Sequence, residues 1–299
     1  MEVHSIDLPL WKLKKQVCDI GHRIWLRGYC GGNEGNHSVR ISDDRVLCTP
    51  TNQSKGFLEP EDLCLVDMDG KQVDDNPRGR KRSSEVLMHL AIYKHRPDIK
   101  AVVHSHPPHA TAFAIANIPI PEGIHPEAEV FLGRIPFAPY ATPSKPVLGE
   151  SVVDKIGPDT NTVVMANHGT VSFDKSLTEA YYKLEILDAY CRVLLLTRSV
   201  GIKPNVLNPA QMTELLEVKE QFGMHDDRLA CSPEGCASPL DQPFFTTFDN
   251  PATAAANDQG SCQCETSATT GTATPNATGD AAFEQMVQTI TNQIMATSS

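Results

Sequence analysis

The stretch AVVHSHPPH, residues 101–109, decides how this chain is read. Three apolar residues lead into His104, Ser105 and His106, and Pro107-Pro108 ends the run. On a β-strand, residues i and i+2 point to the same face. His104 and His106 therefore leave the end of an apolar strand together, where prolines stop the ladder. Two imidazoles so placed suit a divalent cation, and two ordinary histidines beside a turn give the same pattern.

A second strand end narrows the choice. VVMANHGT, residues 163–170, is an apolar run that closes on His168 and Gly169. Glycine there permits a sharp turn or a close backbone approach. His168 is the natural third ligand. Three histidines with an open position make a catalytic metal site rather than a closed structural one, and no Cys-x-x-Cys pair accompanies them. His89, His95, His109 and His125 read instead as surface, packing or supporting residues.

Two further segments flank these. KRSSEVLMHLAIYKHRP, residues 81–97, reads as a helix entered through Ser83, Ser84 and Glu85. A serine cap and the helix dipole there favour an anion, although a plain cap with an acidic first turn has the same look. GGNEGNHSVR, residues 31–40, is a glycine-rich entry to a strand, of the kind that forms anion-holding nests or simply a loop. It pairs with CTPTN, residues 48–52, where Thr51 and Asn52 follow a strand.

Around these segments strand and helix signals alternate. Helices are expected over residues 6–27, 84–94, 109–116 and 177–198, and strands over 38–48, 62–69, 101–106 and 162–167. Asp69-Gly70 reads as a turn. The alternation predicts one α/β domain over residues 1–228. The chain has 299 residues, 40% hydrophobic and 21% charged, with a formal net charge of −11. That acidity argues against a nucleic-acid partner. No apolar run is long enough to span a membrane, and the first 16 residues lack a basic-then-apolar leader, so a soluble cytoplasmic protein is expected. Nine cysteines, mostly scattered, then read as reduced thiols.

After Arg228 there is no Lys or Arg. Residues 229–279, with stretches such as ETSATTGTATPNATGD, are too polar and small to offset their ordering entropy and read as a flexible linker. Its PLDQPFFTTFDNP portion carries three phenylalanines that suit docking on the main domain. Residues 280–299 read as an amphipathic helix capped by Asp280, with Phe283, Met286, Val287, Ile290 and Ile294 on one stripe. Cys231, Cys236, Cys262 and Cys264 could form a second metal site, but their irregular spacing favours scattered thiols.

Taken in order, GN-x-S (Gly35, Asn36, Ser38), TPT (Thr49 to Thr51), SSE (Ser83 to Glu85), HSH, APYAT (residues 138–142) and NHG (Asn167 to Gly169) resemble the class II aldolase/adducin family. Within it, the likeness is to the fuculose and rhamnulose phosphate aldolases. The resemblance covers about residues 10–225 and implies a single domain with a central, mainly antiparallel sheet covered by helices. It also implies a cyclic homotetramer with sites near subunit interfaces. By position, His104, His106 and His168 match the ligands of a zinc or other divalent ion. Glu85 matches the acid that touches the metal and acts as base, and Gly35, Asn36, Thr51, Asn52, Ser83 and Ser84 match the substrate phosphate site. Asn52 stands where those aldolases often carry Gly.

The implied reaction is reversible cleavage of a ketose phosphate to dihydroxyacetone phosphate and lactaldehyde. A pentulose phosphate epimerase or a sugar-phosphate dehydratase on the same scaffold is the alternative. Adducin-like binding modules are expected to lack these histidines. Two departures stand out. The tyrosine proton donors of the aldolases fall at Pro126, after Ile124-His125, and at Phe222 in EQFGMHD. Neither Pro nor Phe transfers a proton, which leaves Glu127, Glu129 or Tyr140 to serve. The tail resembles an encapsulation peptide, which implies a microcompartment shell protein as partner and the lumen of a bacterial microcompartment as location.

Overall fold

The computed structural model describes residues 10–230 and 242–249. Within them, seven strands form one sheet in the order β3-β2-β1-β4-β7-β6-β5. These are β1 (Asn36–Ser42), β2 (Arg45–Cys48), β3 (Cys64–Val66), β4 (Ala101–Ser105), β5 (Phe137–Ala138), β6 (Thr162–Met165) and β7 (Gly169–Asp174). Every neighbouring pair is antiparallel except β5 and β6. The α/β domain with a mainly antiparallel sheet is as expected.

The centre of the sheet is β4, paired on both sides. Its alternation divides the core. Val102 joins Val46, Val171 and Phe173 under α2 (Val86–His95) and α5 (Pro146–Val153), through Met88, Tyr93, Leu148 and Val152. Ala101 and Val103 face the other way, toward α1 (Leu10–Leu26) and α6 (Leu177–Val200). In α1, Leu13, Val17, Ile20 and Ile24 recur at helical spacing and are all buried there. His104 shares the face of Val102, so it points toward the layer that holds α2. The fold thus aims the first metal-type histidine at the helix whose entry carries Glu85.

A third cluster lies at the end of the domain. It gathers α3 (Pro108–Ala116), α4 (Pro126–Phe131), part of α6, and α8 (Pro243–Asp249). The docking expected of the phenylalanine-rich stretch is found here. Phe244 and Phe245 are 3% and 2% exposed, and Phe244 packs on Phe113 with ring centroids 5.9 Å apart. Another helix, α7 (Pro209–Gln221), opens with a capping box of Asn208 and Gln211. The expected C-terminal helix at 280–299, most of the linker, and Cys231, Cys236, Cys262 and Cys264 lie outside the described residues. The five cysteines within them are free thiols.

Several expected boundaries change. The single strand over 38–48 is a hairpin. Ser42 and Arg45 both bond Asp44, which turns the chain between β1 and β2. The strand over 62–69 shrinks to β3, because Asp62 ends a short 3-10 helix and the Gly70 N–H bonds back to Asp67. Gly70, at φ +81°, makes the expected turn. The helix expected from Ser84 begins only at Val86, and neither Ser83 nor Ser84 caps it. Ser83 Oγ instead accepts the Glu85 N–H at 3.3 Å and closes a tight turn. No helix among the described residues is long and apolar enough to cross a membrane.

Candidate metal centre

His104, His106 and His168 come together from three positions in the chain. His104 is the last residue but one of β4, His106 lies just past the strand's end, and His168 sits on the turn joining β6 to β7. Asn167 takes φ +56° in that turn, a conformation Asn tolerates better than most residues. Gly169 then lets the hairpin lie against β4, since a Cβ there would stand 2.5 Å from His106 Cδ2 and 2.8 Å from Ser105 O. One ligand atom from each of the three histidines lies within 4.8 Å of the others.

Glu85 completes the cluster. Its Oε2 is 3.2 Å from His104 Nε2 and its Oε1 is 3.6 Å from His168 Nε2. Asn36, the β1 residue directly opposite His104, donates from Nδ2 to Glu85 Oε2 at 3.1 Å. Burial pushes the Glu85 carboxyl up, but His104 and His168, in the state where their rings carry a second proton, and the bond from Asn36 outweigh it and lower it to about 2. Burial lowers His168 to about 4 and also lowers His106, in both cases with help from His104.

The far ring nitrogens show which protons are present. His104 Nδ1 is 2.8 Å from the Thr170 carbonyl, which can only accept. His106 Nδ1 is 2.9 Å from Glu34 Oε2. Both protons are therefore assigned to Nδ1, which leaves lone pairs on both Nε2 atoms, and these face each other at 3.3 Å. Lone pairs this close, with carboxylate oxygens beside them, call for a cation. The residues fit a divalent metal ion by donor type and convergence.

The anion-type residues border this centre. Gly35, at φ +72°, passes so close to β4 that a Cβ would sit 3.1 Å from His104 O. The 49–52 loop runs beside 81–84, joined by Thr51 N–H to Lys81 O at 2.9 Å and Ser83 N–H to Thr49 O at 3.1 Å. Asn52 takes φ +55°, the backbone state that a glycine would supply. Thr51 and Ser84 line an open groove of about 580 Å³ with Lys71, Lys81 and Arg82. Three cations there favour an anionic group.

Sequence reasoning missed Glu34, Thr170 and these cations. Lys81 and Arg82 were legible as the basic lead of KRSSE. Glu34 gave one signal, as the sole acid in a glycine-rich loop, but nothing in the sequence pairs it with His106.

The remaining histidines stay out of the cluster. His89 is buried against Ser38 Oγ at 2.8 Å, and His95 bonds Ile156 O. His109 pairs with Asp188, which also accepts the N–H groups of His109 and Ala110 and so closes the start of α3. His125 pairs with Glu127. Of the substitute proton donors, Tyr140 and Glu127 are exposed, Glu127 beside His125, and only Glu129 is closed off. Glu129 is 2% exposed and consumed by Arg228 and the Gly123 N–H. Pro126 is the first residue of α4, and Phe222 ends α7 with 66% exposure.

Comparison with known proteins agrees with this geometry. The family described as Class II Aldolase and Adducin N-terminal domain matches residues 15–195. An L-fuculose phosphate aldolase of Methanococcus vannielii is 36% identical over 179 residues, covering 60% of this chain and 93% of its own. A 3-oxo-tetronate 4-phosphate decarboxylase of Haemophilus influenzae is 34% identical, covering 58% and 83%. The crystal structure of YgbL from Escherichia coli, described as an aldolase/epimerase/decarboxylase, superposes with a TM-score of 0.63 at 28% identity, covering 69% of this chain and 98% of that one.

Proposed function

Because the chain belongs to the class II aldolase/adducin family and is an enzyme of the aldolase type, we propose that it cleaves a deoxy-ketose 1-phosphate, fuculose or rhamnulose phosphate, to dihydroxyacetone phosphate and lactaldehyde. The observation that carries this is the convergence of three imidazoles, two of which, His104 and His168, also meet the Glu85 carboxylate. His104, His106 and His168 would hold the ion, and zinc suits a three-histidine set. When bound, it supplies Lewis-acid polarisation of the substrate carbonyl.

The chain's own groups do the rest. Glu85, ionised at neutral pH, exchanges the proton on the carbon next to the carbonyl. Asn36 orients it through the bond to Oε2. Gly35, Asn36, Thr51, Asn52, Ser83 and Ser84 hold the phosphate, with Lys81 and Arg82 adding positive charge at the groove. Holding the phosphate fixes the reacting carbon near Glu85, a gain from positioning alone.

One observation favours a second reading, decarboxylation of a 3-oxo acid phosphate. Aldol cleavage needs a group that takes the proton from a substrate hydroxyl opposite Glu85. Pro126 and Phe222 lack it and Glu129 is tied up, which leaves only the exposed Glu127 and Tyr140. Loss of carbon dioxide needs no such group, only a proton for the carbon left behind.

The test offers the protein fuculose 1-phosphate, rhamnulose 1-phosphate, ribulose 5-phosphate and 3-oxo-tetronate 4-phosphate, with and without chelator. Chelator-sensitive release of dihydroxyacetone phosphate supports the aldolase. Carbon dioxide release, or epimerisation without cleavage, overturns it. The same reading makes the protein a homotetramer and residues 280–299 an encapsulation peptide. Uniform fluorescence of a 280–299 fusion in shell-making cells counts against packaging.

A further inference from the structure

We propose that Glu34 is a positioning residue that holds the His106 proton on Nδ1 and so keeps the Nε2 lone pair free for the metal ion. This rests on the reading of the three histidines as a cation site. The argument begins with two donors that meet one carboxylate. Gly31 N–H reaches Glu34 Oε1 at 2.5 Å, and His106 Nδ1–H reaches Oε2 at 2.9 Å. Both oxygens are used, each as an acceptor.

The loop that carries Glu34 is pinned on both sides. Gly35 lies against the β4 backbone at His104 and Ser105. On the other side Lys55, 1% exposed, donates from Nζ to Asn33 O at 2.7 Å and Gln53 O at 2.6 Å. A buried ammonium bonded to two carbonyls holds residues 33 and 53 at fixed separation. The carboxylate is thus held in place on a braced loop.

The three imidazoles differ in their support. His104 leans on the Thr170 carbonyl. His168 Nδ1 is, among the described residues, buried without a partner. Among the described residues, only His106 has a carboxylate at its far nitrogen, and that partner makes the imidazole a more basic ligand. Because Glu34 also shapes the glycine-rich turn, it links the metal centre to the loop holding Gly35 and Asn36.

An amide at position 34 cannot serve both donors. The Gly31 N–H cannot change its role, so the amide oxygen turns to it. The NH₂ then faces His106 Nδ1. The imidazole answers by moving its proton to Nε2, which blocks the ligand lone pair. An alanine removes the acceptor but imposes no such reversal.

The experiment measures Zn²⁺ affinity of the full-length protein by competition with a chromophoric chelator. It compares wild type, Glu34→Gln and Glu34→Ala. Metal-free samples are also examined by ¹⁵N NMR of the imidazoles and by thermal melting. Glu34→Gln is expected to bind about 10–100-fold more weakly than wild type, with the His106 proton found on Nε2. Glu34→Ala is expected between the two. Equal affinity of wild type and Glu34→Gln, or Glu34→Ala binding as weakly as Glu34→Gln, overturns the proposal. If Glu34→Gln fails to fold, the ¹⁵N spectrum of Glu34→Ala decides: an unchanged, fully Nδ1-protonated His106 overturns it. A wild type that binds no Zn²⁺ removes the metal reading itself, whereas tight wild-type binding with no effect at position 34 removes only the role of Glu34.

Discussion

At the level of single residues, the centre is a collection of acceptors. Nitrogen lone pairs of His104 and His106 face each other at 3.3 Å, and Glu85 oxygens stand 3.2 and 3.6 Å from His104 and His168. Such a set is poorly satisfied without a positive charge. It also separates two roles that are easily merged. On the proposed reading the imidazoles hold the ion, while Glu85, bonded by Asn36, moves a proton. Glu85→Gln is therefore expected to lower kcat by about 10²–10⁴-fold while bound zinc, measured by elemental analysis, persists. A variant that keeps a tenth or more of wild-type activity removes Glu85 as the base. The three histidines were legible because each ends an apolar strand or lies just past one. Glu85 was legible only through the ordered family segments, since an acid at a helix entry has an ordinary use as a favourable dipole partner.

Among secondary-structure elements, the site depends on how closely the β6–β7 hairpin approaches β4. Gly169 permits that approach. A Cβ at this position meets His106 Cδ2 at 2.5 Å and the Ser105 carbonyl at 2.8 Å, and the carbonyl belongs to a backbone that cannot rotate away. Gly169→Ala is expected to cost about 1–3 kcal/mol, as overpacking does, and to weaken Zn²⁺ binding by shifting His106 from His168. Urea denaturation and chelator competition check both effects. An alanine variant indistinguishable from wild type in both would show that the hairpin has slack. The sequence placed long elements such as α6 and the central strand β4 well, where apolar periodicity is strong. It missed the hairpin between β1 and β2 because the two short apolar runs on either side of Ser42-Asp43-Asp44-Arg45 read as one strand. It missed α8 as a helix because seven residues in polar surroundings are too few to show a period, although their phenylalanines marked the stretch for docking.

For the molecule as a whole, two buried histidines outside the metal cluster tie stability to pH. Burial lowers His37 to about 4 and His89 to about 3. In the unfolded chain both take up protons near the ordinary imidazole value of 6.5. Below that value the unfolded state binds more protons than the folded one, so stability falls as pH drops from about 6.5 toward 4. The slope is about 1.4 kcal/mol per pH unit for each histidine. Unfolding free energies at pH 7, 6 and 5 check this, and a flat profile would remove both histidines as the cause. Read alone, the sequence determined the domain class, the strand ends that carry His104, His106 and His168, and the break in composition after Arg228. These are local properties of periodicity, turn chemistry and charge. Tertiary structure decided that the three imidazoles converge with Glu85 beside His104 and His168, that Glu34 meets His106, and that Phe244 and Phe245 close the core. Each of these joins residues far apart in the chain, and their meeting depends on sheet order and register, which no local pattern encodes.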